Sequence, residues 1–439
     1  MTALLDISSY RSRIAQVQSC VKSGTVAQVR GLVIEAYGPN LRIGDMCRVM
    51  TRADGEIGVL AEVVGFSEHR MLLMPLDEMH EVGPGSKVIA TRHEAAVPLP
   101  EGLTGRIVNA LGEPIDGKGD LQYDYRRKIR GASPDPLTRK PIKAIFRTGV
   151  RSIDSFTAMG HGQRIGLFSG SGVGKSTLMG MLARGSHSDV NVIALIGERG
   201  REVREFIETS LSADALARSV VVVSTSDEPA MRRLRAAYMA TSIAESFRDQ
   251  GANVLFMMDS VTRFAMAQRE IGLSVGEPPA NRGYPPSVFS ILPRLLERTG
   301  NSNKGSITAY YTVLVEGDDM NEPISDAVRG ILDGHIVLSR KLATANIFPA
   351  VDVLESVSRL STTVCNEDQL ALVSKAREML AVYRENEDLI NIGAYVKGSN
   401  PVIDLAIQKR PALVAFLKQG MREISTTEST FNRLKEILK

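Results

Sequence analysis

Three cysteines in 439 residues, Cys20, Cys47 and Cys365, are too few, odd in number and too far apart for a disulfide framework or a paired-cysteine metal site. Such usage suits a reducing cytoplasm. The six histidines show no H-E-x-x-H or comparable spacing, so each reads as a surface or packing residue rather than a metal ligand. No apolar run approaches the ~18 residues of a transmembrane helix, and the N-terminus lacks the basic-then-apolar pattern of a signal peptide. Any membrane association is therefore peripheral. A formal charge of +3 is too small to imply a surface coated for nucleic acid, although it leaves room for a local patch. What is present is ordinary globular material, 43% hydrophobic and 23% charged, in a chain long enough for two or three domains.

The texture changes three times along the chain. Residues 1–23 carry Leu4, Ile7, Ile14, Val17 and Val21 at helix-like spacing, an isolated amphipathic helix that either packs on the body or docks a partner or a membrane surface. Residues 24–92 hold six short β-type runs cut by turns such as Gly38-Pro39-Asn40 and Gly83-Pro84-Gly85, which predicts a small closed barrel. An oligonucleotide-binding barrel would need exposed aromatics, and only Tyr37 and Phe66 qualify, so a structural collar is favoured. Residues 93–364 alternate apolar strands with helical runs, the pattern of a mainly parallel, doubly wound α/β domain whose ligand lies beyond the strand carboxyl ends. From 365 to 439 strands disappear, and helices are expected at 367–384, 402–409, 412–418 and 429–439, the middle pair separated by Pro411.

The chemistry is concentrated in the α/β segment. Ser169-Gly170-Ser171-Gly172-Val173-Gly174-Lys175-Ser176-Thr177 follows an apolar strand and opens a helix. Its glycines let backbone N–H groups turn towards an anion, and a helix N-terminus adds about half a positive charge. Lys175 can reach the β- and γ-phosphates of ATP, and the Ser176 hydroxyl can ligate Mg²⁺. Ser169 stands where the usual G-x-x-x-x-G-K-[ST] motif has its first glycine. A second buried strand, 253–258, ends on Asp259, a carboxylate placed to hold Mg²⁺ through water. A third, 192–197, ends on Glu198; a carboxylate there either activates the attacking water, worth about 10²–10⁴-fold in rate, or is a salt-bridged surface group. Arg263, one turn beyond Asp259, either faces the same phosphates or pairs with a carboxylate.

The order barrel, α/β core, helical end, together with Gly105-Arg106-Ile107-Val108-Asn109-Ala110-Leu111-Gly112-Glu113-Pro114-Ile115-Asp116-Gly117 and Thr148-Gly149-Val150-Arg151-Ser152-Ile153-Asp154, resembles the catalytic subunits of F-type and V-type rotary ATPases. Gly162-Gln163-Arg164-Ile165-Gly166-Leu167-Phe168 and the stretch from Val275-Gly276-Glu277-Pro278-Pro279 to Gly283-Tyr284-Pro285-Pro286 are similar to type III secretion ATPases. The loop with Gly180-Met181-Leu182-Ala183-Arg184 after it is most similar to the flagellum-specific export branch. The resemblance covers residues 24–439 and implies a P-loop (RecA-like) core with an N-terminal barrel and a C-terminal helical domain. It also implies a homohexamer with ATP between subunits. In Gly197-Glu198-Arg199, Glu198 falls on the catalytic glutamate, with Arg199 beside it in the motif. Phe348 falls on the aromatic that stacks on adenine, with a core Phe as the alternative. Arg359 falls on the arginine finger, which acts on the neighbouring subunit's nucleotide and is worth about 10³–10⁵ in rate.

The same resemblance implies a central stalk protein in the pore, met by loops at 277–284 and 316–322; a plain acidic turn is the alternative. It further implies a stator-like regulator on the N-terminal helix, and an export gate, chaperones and export substrates at the inner membrane. No nucleic acid is expected. The reading is a cytoplasmic ATPase that drives or gates flagellar protein export. Its rivals are an injectisome ATPase, an RNA-tracking hexameric helicase and a nucleotide-sensing scaffold.

Overall fold

The computed structural model describes residues 22–51, 58–91, 96–124, 127–315, 317 and 319–439. The expected amphipathic helix at 1–23 lies almost wholly outside them, as do Glu316 and Asp318. Contacts divide the chain into two compact units, one holding the barrel and the other Ala95–Gly272 with Pro278–Lys439.

Six strands form the barrel: β1 (Ser23–Arg30), β2 (Val33–Tyr37), β3 (Met46–Met50), β4 (Gly58–Ser67), β5 (Arg70–Pro75) and β6 (Lys87–Ala90). They close in the order β1-β2-β5-β4-β3-β6. Closure removes the unpaired edges that six short strands would otherwise expose. Alternate residues, among them Val26, Ile34, Ala36, Cys47, Val49, Ala61, Val63 and Leu73, fill the interior.

The larger unit is built on a nine-stranded sheet. Its strands are β7 (Ile107–Val108), β8 (Arg164–Ser169), β9 (Val190–Glu198), β10 (Ser219–Thr225), β11 (Asn253–Asp259), β12 (Gly300–Asn301), β13 (Ser306–Leu314), β14 (Gly334–Leu338) and β15 (Val357–Ser358). The order is β15-β14-β8-β13-β11-β9-β10-β7, with β12 paired to β13 off this path. All pairs from β14 to β7 are parallel; β15 closes one edge antiparallel. Strands buried on both faces need apolar residues throughout rather than alternation, and Val192-Ile193-Ala194-Leu195-Ile196 and Leu255-Phe256-Met257-Met258 supply them. Helices α1 (Arg151–Phe156), α2 (Lys175–Gly185), α3 (Ala230–Asp249) and α4 (Val261–Ser274) connect or cover the strands.

The chain ends in α5 (Glu367–Asn391), α6 (Pro401–Leu417) and α7 (Thr427–Leu438). An Asn366–Gln369 capping box opens α5, satisfying backbone donors at its start. Residues 402–418, expected as two helices broken at Pro411, form one helix with Pro411 inside it. Proline there removes one backbone donor, but Ala406 on one side of it and Leu413, Phe416 and Leu417 on the other are all buried. Tertiary packing outweighs the local break. These helices share the core of the sheet: Ala376, Met379, Leu413, Phe416, Leu434 and Leu438 pack in one cluster with Ile165, Leu167 and Leu182.

One buried ion pair ties α3 to the segment leading into β12. Arg298, 1% exposed, gives two hydrogen bonds to the Glu245 carboxylate at 2.9 and 2.7 Å and one to the Ile129 carbonyl at 2.6 Å. Removing one partner of such a pair strands the other charge, so Arg298→Ala should destabilise the larger unit by about 3–5 kcal/mol. The check is the urea-unfolding free energy; a change below about 1 kcal/mol rejects the pair as structurally important.

Candidate functional site

Three parallel strands, β8 and, beyond β13, the adjacent β11 and β9, deliver their last residues to the same end of the sheet. Ser169 ends β8, Asp259 ends β11 and Glu198 ends β9; in the register Leu195 lies opposite Asp259 and Ser169 opposite Leu314. This is the carboxyl end, where ligands bind in open parallel sheets.

Ser169 belongs to the strand rather than to the turn. It is buried, its carbonyl accepts the Val315 N–H at 3.0 Å, and it is absent from the positive-φ positions, so a side chain is tolerated where the motif has glycine. The turn itself requires glycine at Gly172 (φ +77°) and Gly174 (φ +92°), in the left-handed region closed to most side chains. Gly174 is the N-cap of α2 and supplies no side-chain cap, which leaves the first N–H groups of α2 for an anion. Around it Gly170 and Val173 are buried, Ser171 and Ser176 are exposed and Thr177 is half-buried.

Lys175, the first residue of α2, reaches the two carboxylates. Its Nζ makes a short hydrogen bond to Asp259 Oδ1 and lies 3.5 Å from Glu198 Oε1. Asp259 Oδ1 also accepts from Thr312 Oγ1 on β13 at 2.7 Å. Burial alone pulls the Lys175 ammonium down, but Asp259 and Glu198 more than reverse this, so its proton is held more tightly than usual. Glu198 moves the other way: burial first, then the Asp259 charge, push its carboxyl up to about 7 against the pull of Lys175. The cluster has one cation for two carboxylates.

The remaining sequence candidates divide. Phe348, 39% exposed, lies against the loop: a methyl group on Gly174 would meet its ring at 3.5 Å. Arg263 lies beside Gly197, where a methyl group would meet its Cβ at 3.0 Å. Its Nη1 reaches only the Met266 sulfur at 3.9 Å, and it forms no ion pair among the described residues. The carboxylate pairing left open by the sequence is therefore not made. Arg199 is exposed and bonded to Glu202 at 3.1 Å. Arg359 is not at this end at all. It follows β15, its N–H bonds the Asp333 carbonyl, and Ser358 pairs with Gly334 at the start of β14. That is the opposite end of β8 from its own phosphate loop, about 16 Å away for five strand residues.

The β-barrel domain profile of the ATP synthase alpha/beta family matches residues 26–92, and that family's nucleotide-binding domain profile matches residues 149–358. A flagellum-specific ATP synthase of Bacillus subtilis is 55% identical over 421 residues, covering 96% of each chain. The chain belongs to the ATP synthase alpha/beta family. Its residues 365–436 match the profile of the T3SS EscN ATPase C-terminal domain. A type 3 secretion system ATPase of Xanthomonas euvesicatoria is 50% identical over 94% of this chain and 93% of its own. Among solved structures, assembled EscN from enteropathogenic E. coli superimposes with a TM-score of 0.90 at 44% identity, over 95% of this chain and all of that one. EscN in complex with its central stalk EscO gives 0.86 at 43% identity, over the same shares.

As an ATPase of this family, the chain has a nucleotide-binding domain whose loop, lysine and two carboxylates converge. Sequence reasoning missed Thr312. A threonine near the end of the strand-like run Ala309-Tyr310-Tyr311-Thr312-Val313-Leu314 was the available signal. It also missed Gln419, which carries no motif.

Lys175→Ala should raise the Kd for Mg-ATP about 10–150-fold, the worth of a charge-assisted hydrogen bond of about 1.5–3 kcal/mol. Titration calorimetry reads it; unchanged affinity rejects the loop as the nucleotide site.

Proposed function

We propose that this ATPase hydrolyses Mg-ATP at the interfaces of a homohexameric ring and couples the reaction to export of flagellar proteins. The observation that carries the reading is the placement of Arg359 at the far end of β8 while Lys175, Glu198 and Asp259 meet at the near end. One subunit then holds the phosphates, and the next supplies the finger. A heterologous contact of this kind closes into a ring when the rotation allows.

In this reading the triphosphate enters on the α2 N-terminus and draws Lys175 off its carboxylates. Glu198, released from the ammonium, takes a water molecule as hydrogen-bond donor and orients its oxygen in line with the γ-phosphorus. The bond from the γ-phosphorus to the β,γ-bridging oxygen breaks as the water oxygen attacks, giving ADP and phosphate. Arg359 of the neighbouring subunit faces the equatorial oxygens, where negative charge is spread in the transition state. Arg263, with no ion pair of its own, is free to turn to the same phosphates, and Arg199 stands at the rim beside Glu198. Phe348 offers its exposed ring face to the adenine.

Mg²⁺ fits these residues as a ligand of the phosphates. Among the described residues no three His, Cys, Asp or Glu side chains form a cage, and the two hydrogen bonds to Asp259 both fall on Oδ1, leaving Oδ2 for a metal-bound water. Ser176 Oγ would be the direct protein ligand, and the ion would supply positive charge to offset that of the phosphates.

Flagellar export is favoured by the names of relatives at 55% and 53% identity, ahead of a type 3 secretion system ATPase at 50%. The EscN assembly with its stalk supports a stalk protein in the pore here. So does the Arg282–Asp319 ion pair at 3.2 Å, which ties together the two loops expected to meet it. No helix among the described residues is long and apolar enough to cross a membrane; we place the ring in the cytoplasm, held peripherally at the inner membrane. A stator-like regulator on residues 1–23, and an export gate, chaperones and export substrates, complete this reading. The injectisome rival is separated by deleting the gene: loss of filaments and motility fits flagellar export, and loss of effector secretion with intact filaments rejects it.

Glu198→Gln should bind Mg-ATP and form rings yet lose about 10²–10⁴-fold in kcat. Hydrolysis within a few-fold of the unaltered enzyme rejects Glu198 as the water-orienting group. Arg359→Ala should lose about 10³–10⁵-fold in kcat with binding kept, and mixing with Lys175→Ala subunits should restore part of the turnover. No restoration in demonstrably mixed rings rejects a finger acting between subunits.

A further inference from the structure

The base-stacking face at Phe348 is held from an unexpected quarter. After Asn346, which adopts a left-handed conformation (φ +55°), the chain passes through Ile347 to Phe348, and the Phe348 carbonyl accepts the backbone N–H of Gln419 at 2.8 Å. Gln419 lies just beyond α6 and is 6% exposed. Its side-chain oxygen accepts the Arg151 N–H at 2.8 Å, and its side-chain nitrogen donates to the carbonyls of Gly149 at 2.7 Å and Glu423 at 2.8 Å. Both N–H donors of the amide and its oxygen are thus engaged, a condition that holds a buried amide in one orientation.

Arg151 fixes the same segment from the other side. It is 4% exposed; its Nε donates to the Phe416 carbonyl at 2.9 Å, its Nη2 to the Lys418 carbonyl at 2.5 Å and its Nη1 to the Glu423 carboxylate. The Ser425 N–H adds a second hydrogen bond to the Gly149 carbonyl at 3.0 Å. Residues 148–151 in turn abut α2, since a methyl group on Gly149 would meet the Gly185 Cα at 3.1 Å. The segment 416–425 is therefore clamped to the frame of the phosphate helix, and Gln419 is the residue that passes this constraint to Phe348.

We infer that Gln419 is a positioning residue for nucleotide-base recognition: its hydrogen bonds hold Phe348 against the phosphate loop so that adenine and triphosphate are bound in register. The inference rests on Phe348 stacking on the base, and it touches neither phosphate nor water. It therefore separates base binding from triphosphate binding. Losing Gln419 weakens ATP while leaving a base-less triphosphate untouched.

The test compares Kd values for ATP and for inorganic tripolyphosphate, each with Mg²⁺, alongside KM and kcat for ATP. Stacking on an aromatic is worth about 1–3 kcal/mol per base, so Phe348→Ala should weaken ATP about 5–150-fold with tripolyphosphate unchanged. Gln419→Ala should give a selective loss of about 3–10-fold, seen as a raised KM with kcat within about two-fold. In the double variant the second substitution should cost little more, because both act on one contact. Gln419→Met keeps the length and the packing of the side chain but loses all three of its hydrogen bonds; it should show the same selective loss, and it carries the test if the alanine variant does not fold. Equal weakening of ATP and tripolyphosphate overturns the inference, as does an unchanged ATP to tripolyphosphate ratio in both Gln419 variants or full additivity in the double variant. If Phe348→Ala itself spares the ratio, the base-stacking reading falls and takes this inference with it; a selective loss in Phe348→Ala with none at Gln419 overturns this inference alone.

Discussion

A buried ammonium between two carboxylates is the constraint on which the rest of the site depends. Lys175, Glu198 and Asp259 come from three different stretches of chain, and without a nucleotide the only charge available to balance the two acids is the lysine. An uncompensated buried charge is costly, so the cluster ties the start of α2 to the ends of β9 and β11, whose backbones already pair. In the proposed mechanism it also sets the terms of binding: phosphate competes with carboxylate for the same ammonium, and success leaves Glu198, with its raised proton affinity, to orient the water.

The parallel sheet extends this logic across the subunit. Because the strands from β14 to β7 run the same way, one end gathers the loop and the two carboxylates, while the antiparallel β15 carries Arg359 to the other. Among the described residues such a chain presents a phosphate loop on one side and, on the other, an arginine that forms no ion pair. In the proposed mechanism, self-association is then a chemical requirement of the site. The barrel, closed on itself, carries no part of this chemistry.

Much of this was legible in the sequence because the deciding signals are local. Continuous apolar runs mark strands buried on both faces, and the residue that ends each run emerges at the carboxyl end of the sheet; Asp259 and Glu198 are placed there by that pattern alone. Ser169 looked like a flaw in the loop motif and is explained by its place within β8, where no left-handed backbone is needed. Pro411 misled, since the rule that proline ends a helix is local and the apolar face of α6 continues across it. Of the two partners open to Arg263, the carboxylate is not engaged among the described residues. Gln419 was invisible for a different reason: its amide bonds the backbone of Arg151, 268 residues away in the chain, and no spacing or composition reports a contact of that range.

The clamp between residues 148–151 and 416–425 changes how the chain can be divided. By motif and by family profile the boundary near residue 365 looks like a natural seam, and a designer joining halves of two relatives would cut there. Yet that cut parts Gly149 and Arg151 from the segment that answers them, and it parts Phe348 from the backbone N–H that fixes it. The two stretches form a single inheritable unit, free to drift only together. A workable chimaera would exchange 148–151 along with the C-terminal helices, leaving the strands between them in place.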